Sequence, residues 1–94
     1  MITFDQLAVK IIQEQELVIG PLAWSEARKV QGLQVLNSGR PQIKFIDGNG
    51  SVVVDRLVAR YERLFGRASH EVCREAVAGL IAEMPPTEIP VSLR

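Results

Sequence analysis

The sequence predicts a mainly helical α+β fold: two helix pairs flanking a small antiparallel β-hairpin. Three observations carry that expectation. Apolar residues recur at helical spacing in four stretches, a glycine interrupts each pair, and one middle stretch trades helical spacing for β-branched, aromatic and turn residues. A chain of 94 residues with 47% hydrophobic content reads as a single compact domain over 1–84, with 85–94 as an extended tail.

The first helix is expected over about 4–18. Thr3 and Gln6 have the spacing of a capping box, and Ile2 and Leu7 that of a hydrophobic staple. Phe4, Leu7, Ala8, Ile11 and Ile12 then mark one face. Gly20 suits a left-handed cap, and Pro21, which cannot continue a helix, suits the first turn of another. That second helix, about 21–31, offers Ala23, Trp24, Ala27 and Val30 and ends at Gly32.

The hairpin is expected over about 33–54. Leu33-Gln34-Val35-Leu36 and Gln42-Ile43-Lys44-Phe45-Ile46 read as strands around the turn chemistry of Asn37 to Pro41. Asp47-Gly48-Asn49-Gly50 is a second turn signal, and Ser51 to Val54 fits a third strand or the start of the next helix. A third helix follows over about 55–65, with Val54, Leu57, Val58, Tyr61, Leu64 and Phe65 on one arc and Gly66 as its stop. A fourth, about 68–83, presents Val72, Cys73, Ala76, Val77, Leu80, Ile81 and Met84. Gly79 inside it suggests a close helix crossing. Pro85-Pro86 ends it, and Ile89, Val91 and Leu93 alternate as in an extended segment that docks on its own chain or on another.

The halves resemble each other. A shift of 46 positions lays Ile11-Ile12 on Leu57-Val58, Glu16 on Glu62, Gly20 on Gly66 and Arg28 on Arg74. Each half reads as two helices joined by a tight glycine turn.

Composition narrows function. Eleven basic and eleven acidic groups cancel, which argues against generic nucleic-acid binding. The charge is uneven, however: residues 40–67 hold six basic and three acidic groups, whereas both flanks are net acidic. One cysteine forbids an internal disulfide and a four-cysteine zinc site. No apolar run is long enough to span a bilayer, and the start lacks a signal-peptide pattern, so a cytoplasmic location is expected.

Several constellations invite chemistry. The Asp47–Gly50 segment resembles part of a calcium loop, but aligning Gly50 with the loop glycine puts Phe45 first and Arg56 last, where carboxylates are needed. His70 and Cys73, three apart on one helix, have a spacing that suits zinc or a nucleophilic pair. No further His or Cys completes a metal site, so no metal or other cofactor is expected. Glu14, Glu16, Glu71 and Glu75 fall on polar faces, and no nucleophile elbow, phosphate loop or dinucleotide fingerprint is present.

Arg56, Arg60 and Arg63 are the most informative feature. At i, i+4 and i+7 they share a narrow stripe, which Arg67 joins only if the helix runs past Gly66. Like charges so placed repel by about 0.2–0.5 kcal/mol per pair, so something must neutralise them: solvent, carboxylates such as Glu14 or Glu71, or an anionic partner. Trp24, the sole tryptophan, is either a core plug or an interface anchor.

The expected function is a non-catalytic protein–protein interaction or adaptor module. It would self-associate, most simply as a homodimer, and bind an acidic partner through Arg56, Arg60 and Arg63, with Trp24 second. Two alternatives stand beside it: a nucleic-acid-binding module using the same Arg helix, and a small metal- or thiol-dependent enzyme using His70 and Cys73.

Overall fold

The computed structural model describes residues 2–37, 41–45 and 49–94. The chain is mainly helical, with four α-helices among the described residues: α1 (Phe4–Ile19), α2 (Leu22–Ala27), α3 (Gly50–Phe65) and α4 (Arg67–Ile81). Thr3 and Gln6 form the reciprocal capping box that starts α1. The Thr3 N–H donates to Gln6 Oε1 at 2.8 Å, and the Gln6 N–H donates to Thr3 Oγ1 at 3.4 Å.

The strand-like region is smaller than its expected extent of 33–54. Strands β1 (Leu33–Asn37) and β2 (Pro41–Phe45) lie antiparallel, with Leu33 opposite Phe45 and Val35 opposite Ile43. Two short strands are a ribbon rather than a layer, so helices dominate the architecture and the α+β expectation gave the strands too much weight. The expected turns fall partly on residues 38–40 and 46–48, which lie outside the described residues. Val52, Val53 and Val54 belong to α3, because Asn49 caps that helix by accepting the Ser51 N–H at 2.8 Å.

Two further boundaries differ from expectation. The second helix ends at Ala27 rather than near 31. Beyond it the N–H groups of Lys29 and Val30 reach back three residues, to Glu26 and Ala27, which tightens the backbone and turns Val30 into the core. The tail is not extended throughout. It winds into two short 3-10 turns, Pro86–Glu88 and Val91–Leu93, separated by extended residues at Ile89 and Pro90. Burial drives this: Leu93 and Pro90 are buried against the helices, and Asp55 accepts the Ser92 N–H at 2.9 Å.

The 46-residue offset recurs in three dimensions. Helices α1 and α3 have the same length, and each ends at a glycine with positive φ, 73° at Gly20 and 91° at Gly66. Each glycine N–H caps the equivalent glutamate carbonyl, Glu16 or Glu62. The buried residues of α1 are Leu7, Ala8, Ile11, Ile12 and Gln15, and those of α3 are Val53, Val54, Leu57, Val58 and Tyr61. Every pair is 46 positions apart. The contacts between halves are reciprocal: Gln15 Nε2 donates to the Ser69 carbonyl at 2.8 Å, and the Tyr61 hydroxyl donates to the Ala23 carbonyl at 2.6 Å. Ser69 again lies 46 beyond Ala23, so an approximate two-fold axis relates the halves.

Candidate functional site

A groove of about 440 Å³ opens between α3 and the turn that follows α2. Burial of Leu57, Val58 and Tyr61 on the inner face of α3 fixes what its outer face shows, and that face brings Arg56, Arg60 and Arg63 to the groove. Lys29 enters from the turn, and Val30 and Leu64 supply apolar lining. The sequence-predicted stripe is therefore one wall of a concave site. Arg67 is not part of it, because the helix breaks at Gly66 and Arg67 opens α4.

One carboxylate serves these cations. Glu26, only 9% exposed, accepts from Arg60 Nη2 at 2.8 Å and Nε at 2.9 Å through Oε1, and from Lys29 Nζ at 3.1 Å through Oε2. The Arg60 hydrogen bond, with Lys29 second, holds the Glu26 carboxyl below the usual carboxylate range. Arg56 Nη1 donates to the Gln31 carbonyl at 3.2 Å. Arg63 is exposed and, among the described residues, has no hydrogen bond or ion pair. Four cations and Glu26 thus leave the groove with a surplus of three positive charges.

The neutralising carboxylates expected from sequence lie elsewhere. Glu14 pairs with Lys10 at 3.1 Å and Glu71 with Arg74 at 3.4 Å. Glu26 was missed, although it left a signal: with Ala23, Ala27 and Val30 it completes an i, i+3, i+4, i+7 stripe, and so is a carboxylate on an otherwise apolar face.

Trp24 is half-buried against the core and does not line the groove, so the structure does not join it to the arginines. The His70–Cys73 pair is also separated. Cys73 is fully buried, with Gln15 Nε2 at 3.2 Å from its sulfur, and burial pushes its thiol up to about 11. His70 is half-buried and faces a partner at each ring nitrogen. Nδ1 faces Glu62 Oε2 at 2.8 Å and Nε2 faces the Ser92 carbonyl at 2.6 Å. Both partners offer acceptors, so the protonated ring can donate to both at once and the neutral ring to only one. The Ser92 bond first, and Glu62 second, raise the His70 pKa. Among the described residues, no group of three His, Cys, Asp or Glu side chains is placed to hold a metal.

No helix among the described residues is long and apolar enough to cross a membrane. The chain matches no protein-family model, no curated protein and no solved structure.

Proposed function

We propose that this protein is a non-catalytic interaction module whose groove, walled by Lys29, Arg56, Arg60 and Arg63, receives an acidic segment of a protein partner. The observation behind this reading is the unbalanced charge of the groove, with its single carboxylate already shared by Arg60 and Lys29. Glu26 fixes Arg60 as a rigid floor. Arg63 and the exposed part of Arg56 are left to meet incoming carboxylates, for which the planar guanidinium fork is suited. Val30 and Leu64 add an apolar contact that favours a polypeptide over a bare anion.

Nucleic acid is the second reading of the same surface. It is less favoured because no aromatic side chain lines the groove for base stacking.

The test is a nuclear magnetic resonance titration with a short poly-glutamate peptide and, in parallel, single-stranded DNA of similar charge. The reading expects peptide-induced shifts centred on Lys29, Arg56, Arg63 and Leu64, weakened by salt and largely removed by Arg63→Glu with the fold intact. Absence of a peptide response would overturn it. Tighter binding of the DNA would transfer the site to nucleic acid.

A further inference from the structure

The two-fold relation gives the basic groove a counterpart. A second groove of about 420 Å³ lies between α1 and α4, and six of its seven lining residues are 46 positions from a residue lining the first. The sequence positions correspond but the charge changes sign: the second groove holds Lys10, Glu14 and Glu75, a surplus of one negative charge. Where the basic groove has Arg60 and Lys29, the second has Glu14 and Glu75, and where the first has Arg63 the second has Leu17. Lys10, the mate of Arg56, keeps its sign and pairs with Glu14. The rims differ in the same sense: Leu17 and Val18 are 80% and 63% exposed on one, and Leu64 is 47% exposed beside Arg63 on the other.

We infer that the occupant of the basic groove is a second copy of this chain, docked through its acidic, Leu17–Val18-rimmed groove. This rests on the reading of the basic groove as a carboxylate site and names its partner. The exposed Leu17–Val18 rim of α1 supplies the ridge, and the open space between α3 and the turn after α2 receives it. Leu17 and Val18 then cover Leu64 and Val30. Glu14 and Glu75 come to Arg56 and Arg63, opposite charges on the two faces of a single contact. Such a contact uses different patches on the two copies. It is therefore heterologous, building a ring where its rotation closes and an open chain with one free groove of each kind at its ends where it does not.

That asymmetry provides the test. Arg56→Ala/Arg63→Ala removes charge only from the basic groove, and Glu14→Gln/Glu75→Gln only from the acidic one, so the two spoiled grooves cannot attract each other. Sedimentation of the whole chain is expected to show wild-type mass rising with concentration, each double variant monomeric, and an equimolar mixture of the two forming a capped 1:1 dimer through the remaining good pair of grooves. Circular dichroism melting verifies that the variants fold, and Arg63→Ala with Glu75→Gln repeats the experiment should a double variant not fold. Wild-type protein that stays monomeric up to roughly 1 mM, or a mixture that does not pair, would overturn the inference. The poly-glutamate titration separates this failure from that of the parent reading: a monomer that still binds the peptide loses only its self-partner. A self-associated chain that the peptide dissociates supports both.

Discussion

The Tyr61 hydroxyl donates to the Ala23 carbonyl at 2.6 Å, tying the third helix to the second across the centre of the molecule. Its two-fold mate, Gln15 to Ser69, ties the first helix to the fourth. The two bonds are not equal in consequence. Tyr61 makes its one polar contact well, whereas Gln15 Oε1 is buried with no partner among the described residues. Tyr61→Phe should therefore cost about 1–2 kcal/mol. Gln15→Met, which removes a lone acceptor together with the donated bond, should cost less, under about 1 kcal/mol. Urea unfolding of the two variants beside wild type measures the difference.

The glycines at the end of α3 and within α4 should respond to alanine in opposite directions. Gly66 has φ 91° and ψ −178°, a conformation that strains any side-chain-bearing residue, so Gly66→Ala should destabilise by about 1–3 kcal/mol. Gly79 is exposed in α4 with no neighbouring atom within 4 Å of an added Cβ, so it marks no close crossing. Gly79→Ala should stabilise by up to about 1 kcal/mol. Thermal melting of both variants decides it.

His70 gives the tail a pH dependence whose sign follows from geometry. Its pKa is raised on folding by the Ser92 carbonyl and Glu62. The stabilisation is fully present below the unfolded value, near 6.5, and is lost as pH rises through the folded value. The groups around the ring are Glu62, Glu71 and the Ser92 carbonyl, with Asp55 holding Ser92 from α3. Protection of the Ser92 and Leu93 amides from hydrogen exchange, corrected for intrinsic rates, should fall across that interval, and His70→Gln should flatten the change.

Cys73 should behave as a reporter of unfolding. Its full burial and its thiol at about 11 predict that iodoacetamide reacts at pH 8 only as fast as the protein opens. Labelling measured across a urea series should track global unfolding, and rapid labelling of native protein would contradict the core placement.

Glu26 sets the charge of the basic groove. Glu26→Gln removes its one anion, so poly-glutamate should bind several-fold more tightly to this variant at low salt, with the gain shrinking as salt is added. Unchanged affinity would mean that the peptide does not sense the groove charge.

The long helices were legible because their signals are local. Thr3 and Gln6 announce the start of α1, Gly20 and Gly66 end two helices, and the stripe of Arg56, Arg60 and Arg63 follows from spacing alone. What sequence reasoning missed depends on distant contacts. Val52 to Val54 carry β-branched residues that suit strand or helix, and the Asn49 cap decides between them. Glu26 lies on an apolar stripe whose meaning appears only once Arg60 arrives from α3. His70 meets the Ser92 carbonyl only because the tail folds back across 22 residues. The repeat was visible as matched letters at a fixed offset, but its reciprocity, Gln15 to Ser69 and Tyr61 to Ala23, needs three dimensions.

That reciprocity constrains how the chain can come apart. Each half lends the other the carbonyl that its central polar side chain needs, so neither helix pair can melt and leave its neighbour satisfied. Partial opening should be rare, loss of structure should be all-or-none, and two fragments cleaved between the halves should find each other again as a complementary pair.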